Sequence, residues 1–123
     1  NGAEVAQVGA LHTVEYRFVV TDLPENGVAN PAITIPVGAV IEGFDLIVES
    51  TLTGGTNITV GLIEPDGSAI DADGLLAAST TATGVIAGAG ASIGTQLAVE
   101  AQLLVATSRT GGVAKAVITY SLY

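Results

Sequence analysis

Short runs of alternating apolar and polar residues, cut by glycine and proline, constrain the fold of this chain more than any other feature. The segment ITIPVGAVIEGFDLIVES, residues 33–50, shows both parts of this pattern. Its alternation is typical of a strand, whereas Pro36, Gly38 and Gly43 interrupt it. Proline cannot donate a hydrogen bond to a strand ladder, and a glycine within a strand often marks a bulge. The segment therefore predicts two strands joined by a turn, with a bulge at Gly43 in a sheet that bends.

The same pattern recurs along the chain and predicts about seven or eight short strands. The clearest predicted strands are residues 10–20, 33–35, 39–50, 58–64, 96–107 and 113–123. In the first of these, Val14, Tyr16, Phe18 and Val20 share one face. Many short strands with Gly-rich turns and no long helix predict an all-β fold. We expect an antiparallel β-sandwich, with the jelly roll as the favoured version.

The remaining segments are predicted to be less regular. Residues 65–74, PDGSAIDADG, predict an acidic loop, and residues 75–80 predict one or two helical turns. Residues 81–95 are rich in Gly, Ala, Thr and Ser and only weakly apolar. A chain of 123 residues is one domain by length. We therefore expect a loose N-terminal arm at residues 1–9 and a single β-sandwich domain at residues 10–123.

The core of such a sandwich has to be built mainly from Val, Ile, Leu and Ala, because only three Tyr, two Phe and no Trp are present. The apolar register predicted for the long strand is Val40, Phe44, Leu46 and Val48, with Glu42 among them. Phe44 is expected to pack with Phe18 and Val60, since all three hold the apolar register of predicted strands.

The acidic balance of the chain excludes several partners. Twelve acidic residues against three basic ones give a formal net charge of −9. Such a surface repels the phosphates of nucleic acid and disfavours contact with an anionic membrane. Every apolar run is interrupted well before about 20 residues, so no transmembrane helix is predicted. We expect neither a nucleic-acid partner nor a membrane partner.

No residue pattern supplies an activated nucleophile, so the sequence predicts neither an enzyme nor a cofactor. The chain has one histidine, His12, and no cysteine. His12 has no local Ser/Asp partner pattern, which favours an exposed strand histidine. The Gly-rich segments lack the lysine and the spacing of a phosphate loop. A glycosidase pair of carboxylates remote in sequence stays open, although few aromatic residues are left for a sugar platform.

Acidic residues cluster in the predicted loop and raise the question of a metal site. Glu64, Asp66, Asp71 and Asp73 lie within ten residues, and DADG resembles half of a calcium loop. The 12-residue spacing of a complete loop, with its final bidentate Glu, is absent. A solvated acidic loop is therefore favoured and no metal is expected, with Asp66, Asp71 and Asp73 as the calcium candidates.

A long uncharged stretch is the third feature with functional content. Residues 74–99 contain no charged side chain over 26 positions. The surface of a monomer normally carries charge at intervals, so such a stretch is either buried in the domain or placed against another chain. The interface candidates are Leu75, Val85, Ile86 and Ile93.

Three stretches carry a resemblance to a known family, namely ITIPVGAVIEGFDLIVES, TNITVGLIEPDGSA and GGVAKAVITYSLY. In this order they resemble small β-sandwich structural proteins of tailed bacteriophages, especially head decoration (cement) proteins and related fibre modules. The resemblance covers about residues 30–123. It implies a non-enzymatic protein, usually a homotrimer, clamped over junctions between subunits of the major capsid protein. The implied location is the outer surface of the virion.

Three other functions stay open beside this one. A receptor- or glycan-binding tail module would keep its binding groups in the loops of the same sandwich. A cell-surface or S-layer domain would share the acidity, with calcium in the acidic loop as its mark. A hydrolase has the least support, because no activated nucleophile is supplied.

Overall fold

The computed structural model describes residues 10–23, 29–54, 58–78, 83–107 and 109–122, and these form a β-sandwich. The strands are β1 (Ala10–Val19), β2 (Asn30–Ile35), β3 (Val40–Thr53), β4 (Ile58–Ile63), β5 (Ala69–Ala78), β6 (Gly84–Ala87), β7 (Ala101–Thr107) and β8 (Gly111–Leu122). One 3₁₀ turn, Val20–Asp22, follows β1. The predicted arm at residues 1–9 lies outside the described residues.

The eight strands form two four-stranded antiparallel sheets. The first sheet has the order β1-β8-β3-β6 and the second has the order β2-β7-β4-β5. Every connection except β4–β5 passes from one sheet to the other, and eight strands in this order make a jelly roll. The predicted all-β antiparallel sandwich is therefore confirmed.

The long strands of the first sheet follow the predicted alternation. β1 pairs with β8 along its whole length, and its residues Val14, Tyr16 and Phe18 face the core. Phe18, Phe44 and Val60 are all buried in one core cluster, as the sequence predicted. A large-to-small change at such a position removes transfer free energy and leaves a cavity, so these residues contribute strongly to stability.

A bulge in β3 reverses the faces of its first residues. Ile41 lies opposite Tyr120 and Gly43 lies opposite Thr119, so Glu42 is an extra residue in the ladder. This confirms the bulge predicted at Gly43. It also corrects the predicted register, because Ile41 is fully buried whereas Val40 is half-buried and Glu42 is exposed.

β5 (Ala69–Ala78) replaces most of two predicted features, the acidic loop at residues 65–74 and the helical turns at residues 75–80, of which residues 79 and 80 lie outside the described residues. Only the turn before Ala69 remains a loop, and β5 pairs with β4 as an edge strand. Leu62 pairs with Asp71 and Val60 pairs with Leu76. The two paired positions are two residues apart in β4 but five residues apart in β5, so β5 contains extra residues. This large bulge explains why alternation was not visible in the sequence.

β7 is shorter than predicted. It begins at Ala101, whereas the sequence pattern placed its start at residue 96. The backbone of Leu97 pairs with Ala39 instead, donating its N–H to that carbonyl at 2.8 Å. Leu97 is buried and Val99 is exposed, so the apparent alternation across residues 96–101 does not belong to one strand.

Candidate functional site

The uncharged stretch contains a segment, residues 88–97, that bridges the two sheets; we call it the crossover segment. The Gly88 N–H donates to the Phe44 carbonyl of β3 at 2.7 Å. Farther along, the Ser92 N–H donates to the Gly74 carbonyl of β5 at 2.9 Å. The segment then returns to β3, where the Gly94 N–H donates to the Ile41 carbonyl at 2.6 Å. It therefore closes one open side of the sandwich with backbone hydrogen bonds.

Small residues are required where the crossover segment meets β5. A Cβ atom on Gly90 would collide with the backbone carbonyl groups of Gly74 and Asp73. A Cβ atom on Gly74 would collide in turn with the side chain of Ser92. Part of the uncharged stretch is therefore used in packing within the domain, which is one of the two roles expected for it.

The structure separates the four predicted interface residues. Leu75 has no exposed surface and belongs to the core, so it is removed from the interface set. Its position on the inner face of β5 was hidden by the bulge. Val85 is 65% exposed, which makes it one of the most exposed large apolar residues described. Ile86 and Ile93 are half-buried and pack against the core.

A groove lies between β6 and β5, where the edges of the two sheets approach each other. Its volume is about 410 Å³. The lining residues are Asp73, Leu76, Ala77, Ile86, Ala87, Ala89, Gly90 and Ala91. All but one of these side chains are uncharged and most are small. The groove is therefore a surface feature at the edge of the sandwich, lined mostly by small uncharged side chains with Asp73 as its one acidic residue.

The backbone of β6 leaves hydrogen-bonding groups directed into the same region. In an antiparallel ladder, directly opposite residues alternate between hydrogen-bonded and non-hydrogen-bonded pairs. Gly88 bonds to Phe44, so the pair Ile86–Leu46 is also hydrogen-bonded. Val85 and Ala87 are at the non-hydrogen-bonded positions of this ladder. Their N–H and C=O groups therefore point away from β3. Among the described strands, none lies on that side of β6.

Among the described residues, the three calcium candidates are not gathered into a cluster of metal-ligating side chains. Asp66 lies in the β4–β5 turn and accepts a hydrogen bond from the Ser68 N–H at 2.8 Å. The backbone and side-chain hydrogen bonds from Ser68 hold the pKa of the Asp66 carboxyl below its ordinary value. Asp71 accepts from the N–H of Asp73 within β5 at 3.4 Å. Across the described ranges, no group of three or more His, Cys, Asp or Glu residues is arranged to hold a metal ion.

Two basic residues are paired on the outer face of the first sheet. The Arg17 Nε atom lies 2.9 Å from the Glu49 Oε2 atom, and the Lys115 Nζ atom lies 3.7 Å from the Glu15 Oε1 atom. Exposed pairs of this kind contribute little to stability. None of these four residues lines the groove.

The single histidine is exposed, as expected, and its ring stacks on Tyr120 with a centroid distance of 5.2 Å. This contact occupies the face of the imidazole. In the part of the chain that the structure describes, no helix is long and apolar enough to cross a membrane.

Comparison with known proteins gives likeness of fold. No protein-family model matches the sequence, and no curated protein matches it. A chain in the capsid asymmetric unit of cyanophage Pam1 has a TM-score of 0.62 and 17% identity over 94% of this chain. A chain in the acidic stable capsid of Helicobacter pylori bacteriophage KHP30 has a TM-score of 0.64 and 17% identity over 94%. A chain in the capsid of Ralstonia phage GP4 has a TM-score of 0.61 and 22% identity over 91%.

The matches extend over nearly all of the matched chains as well. They cover 87%, 88% and 85% of those chains, respectively. Since 94% of 123 residues corresponds to 87% of the first chain, that chain is about 130 residues long. The likeness is therefore between whole chains of similar size, and it does not concern one domain of a much larger protein.

Proposed function

We propose that this protein is a non-enzymatic structural protein of a phage virion, and that it acts as a capsid decoration (cement) protein. The observation that carries the proposal is whole-chain likeness of fold to chains from the capsids of three phages. The sequence resemblance noted above points to the same class independently. The proposed partner is the major capsid protein, and the proposed location is the outer surface of the capsid.

Decoration provides a physical role for a chain without a catalytic pattern. A protein that binds only the assembled shell stabilises that shell, because its binding free energy is lost when the shell comes apart. Such a protein needs a rigid body and binding surfaces more than it needs a reactive site. The jelly roll supplies the rigid body, with a continuous core of buried Val, Ile and Leu residues.

We further propose that the protein assembles as a homotrimer. Copies of a chain with a formal charge of −9 repel one another, so contact is favoured where acidic residues are few. Residues 74–99, which include β6 and the crossover segment, contain no charge, so contact is favoured through them. Val85 and the half-buried Ile86 and Ile93 lie in this part of the chain.

The test is the amount and position of the protein on purified particles. Quantitative mass spectrometry of particles from the source of the gene should find hundreds of copies per particle, and antibody labelling should mark the head. Particles that lack the protein should release DNA at a lower temperature, and purified protein should restore the difference. A few copies located on the tail would instead support the receptor- or glycan-binding module, and absence from particles would contradict the proposal.

A further inference from the structure

We propose that the groove between β5 and β6 binds a lysine- or arginine-bearing extended segment of another protein. The lining residues are mostly small and uncharged, and one carboxylate lies at the β5 side of the groove and another beside β6. This goes beyond the proposed function, because it assigns a surface and a partner chemistry whether or not the protein decorates a capsid.

The two carboxylates belong to Asp73 and Asp45. Asp73 of β5 lines the groove, and Asp45 of β3 lies opposite Ala87, which lines it from β6. Directly opposite residues of an antiparallel pair have side chains on the same face, with Cβ atoms about 5 Å apart. Asp45 therefore lies beside the groove. Both residues are exposed, and among the described residues neither carboxylate accepts a hydrogen bond or forms an ion pair.

No basic side chain of the chain itself neutralises these carboxylates. The chain has three basic residues, and all three are described. Arg17 and Lys115 form ion pairs with glutamates of the first sheet, and Arg109 donates to the Gly54 carbonyl just after β3. Residues 79–82, which lie outside the described residues shortly before β6, contain no charged residue.

A second copy of the chain is a poor source of the cation. It would bring a formal charge of −9 and the same three basic residues. Two of these, Arg17 and Lys115, are directly opposite each other in the middle of the paired strands β1 and β8, so they do not belong to a free extended segment. The cation that pairs with the groove therefore comes from a different protein.

The lining suits a long side chain with a charge at its tip. Lys and Arg place their aliphatic stems along apolar surface and keep the charged group at a polar partner. Leu76 and Ile86 supply apolar surface in the groove, and Asp73 supplies the polar partner. The volume of about 410 Å³ leaves room for at least one such side chain. A neutral segment would leave both carboxylates unpaired, and an acidic segment would be repelled.

The test measures binding of a short lysine peptide to the whole chain by NMR. The probe is acetyl-Ala-Lys-Val-Lys-Ala-amide, and the control peptide has Gln in place of both Lys residues. We expect a dissociation constant of about 1 mM or lower for the lysine peptide, and binding at least about tenfold weaker for the Gln peptide. The largest shift changes should occur at the amides of Asp73, Ala77 and residues 86–91.

Two double variants separate the groove from net charge. Asp45→Asn with Asp73→Asn removes both carboxylates and should raise the dissociation constant of the lysine peptide at least about fivefold. Asp66→Asn with Glu100→Gln changes the formal charge equally at residues that do not line the groove, and should stay within about twofold of the parent. All four residues are exposed, so both variants should melt like the parent.

The inference is overturned if the two peptides bind equally, if the shift changes occur outside the groove, or if both double variants weaken binding to the same extent. Absence of binding at about 5 mM lysine peptide overturns it as well. Added salt should weaken peptide binding, because salt screens the pairing of opposite charges. The copy number on particles is measured separately, so failure here is distinguishable from failure of the decoration function.

Discussion

The two sides of the sandwich are held together in different ways. On the side of β1, β8 and β3, long strands pair over ten or more residues and large side chains fill the space between the sheets. On the side of β5, β6 and the crossover segment, Gly90 has no room for a Cβ atom beside the backbone of β5, and Gly74 has none beside the Ser92 side chain. Packing on the first side therefore depends on large buried side chains. Packing on the second side depends on residues that have no side chain.

The largest expected effect comes from removing side-chain volume on the first side. Phe44→Ala should destabilise the protein by about 3–5 kcal/mol, because a buried aromatic ring is replaced by a cavity. Total stabilities of domains are about 5–15 kcal/mol, so this loss should lower the melting temperature strongly. Val85→Ala is the control, since that side chain is mostly exposed. A Phe44→Ala variant that melts within about two degrees of the parent would show that the core is misassigned.

The next effect comes from adding volume on the second side. Gly90→Ala should cost about 1–3 kcal/mol, because the new methyl group forces the crossover segment away from β5. Gly43→Ala is the matched control, since a Cβ atom there meets no atom within 4 Å and its φ is not positive. That change should be neutral or stabilise by up to about 1 kcal/mol. Equal denaturation midpoints for the two variants would argue against tight backbone packing at Gly90.

This difference also explains which parts of the molecule sequence reasoning could predict. The sequence pattern predicted the ends of β1, β3, β4 and β8 to within a few residues. The glycine at position 43 predicted the bulge in β3. β5 was missed because its bulge breaks the alternation and places Asp71 and Asp73 in a strand. β6 was missed because GVIA is too short for a period to be seen. The sole hint of the groove was the lack of charge at residues 74–99.

A smaller effect is expected from salt on the association of the copies. It distinguishes contact through uncharged residues from contact through ion pairs. Three copies at −9 each carry −27 together, so repulsion should oppose a trimer whose contacts are apolar. Raising salt from 0.01 M to 0.1 M shortens the Debye length from about 30 Å to about 10 Å. The trimer should therefore become tighter as salt rises, as measured by light scattering across a dilution series. Weaker association at higher salt would indicate that ion pairs hold the copies together.

The choice of residue for disrupting the contact follows from burial. Ile86→Lys should weaken the trimer if Ile86 is in the contact. Ile86 also packs against the core, so Ile86→Lys should lower the stability of the monomer as well. Val85 separates the two effects, because its side chain is 65% exposed.

A still smaller effect is expected from acid in the β4–β5 turn. The folded-state pKa of Asp66 is lowered, so its hydrogen bonds with Ser68 contribute stability that is fully present above the ordinary value of 3.8. That contribution is lost as the pH falls through the lower folded-state pKa. An NMR titration should find Asp66 more acidic than a free aspartate. Asp66→Asn keeps the acceptor oxygen but should lose this part of the pH dependence; an Asp66 that titrates normally would contradict the turn geometry.

No effect is expected from removing calcium. If Asp66, Asp71 and Asp73 bound a cation, chelation would lower the melting temperature, because a ligand of the native state stabilises it. We expect EDTA and added calcium to leave the melting temperature unchanged within about one degree. A drop in EDTA that calcium restores would favour the surface-layer alternative and would require Asp71 and Asp73 to leave their positions in β5.

The pairing of β1 with β8 sets the order in which the chain can reach its native state. Ala10 lies opposite Leu122, so the first described strand is held by the last one along the chain. Folds dominated by contacts between distant residues form slowly, typically in milliseconds to seconds. On the ribosome, β1 has no sheet to join until β8 has been synthesised. The first sheet is therefore completed only after translation has passed Leu122, and until then β1 depends on its Glu15 and Arg17 charges to avoid pairing with other chains.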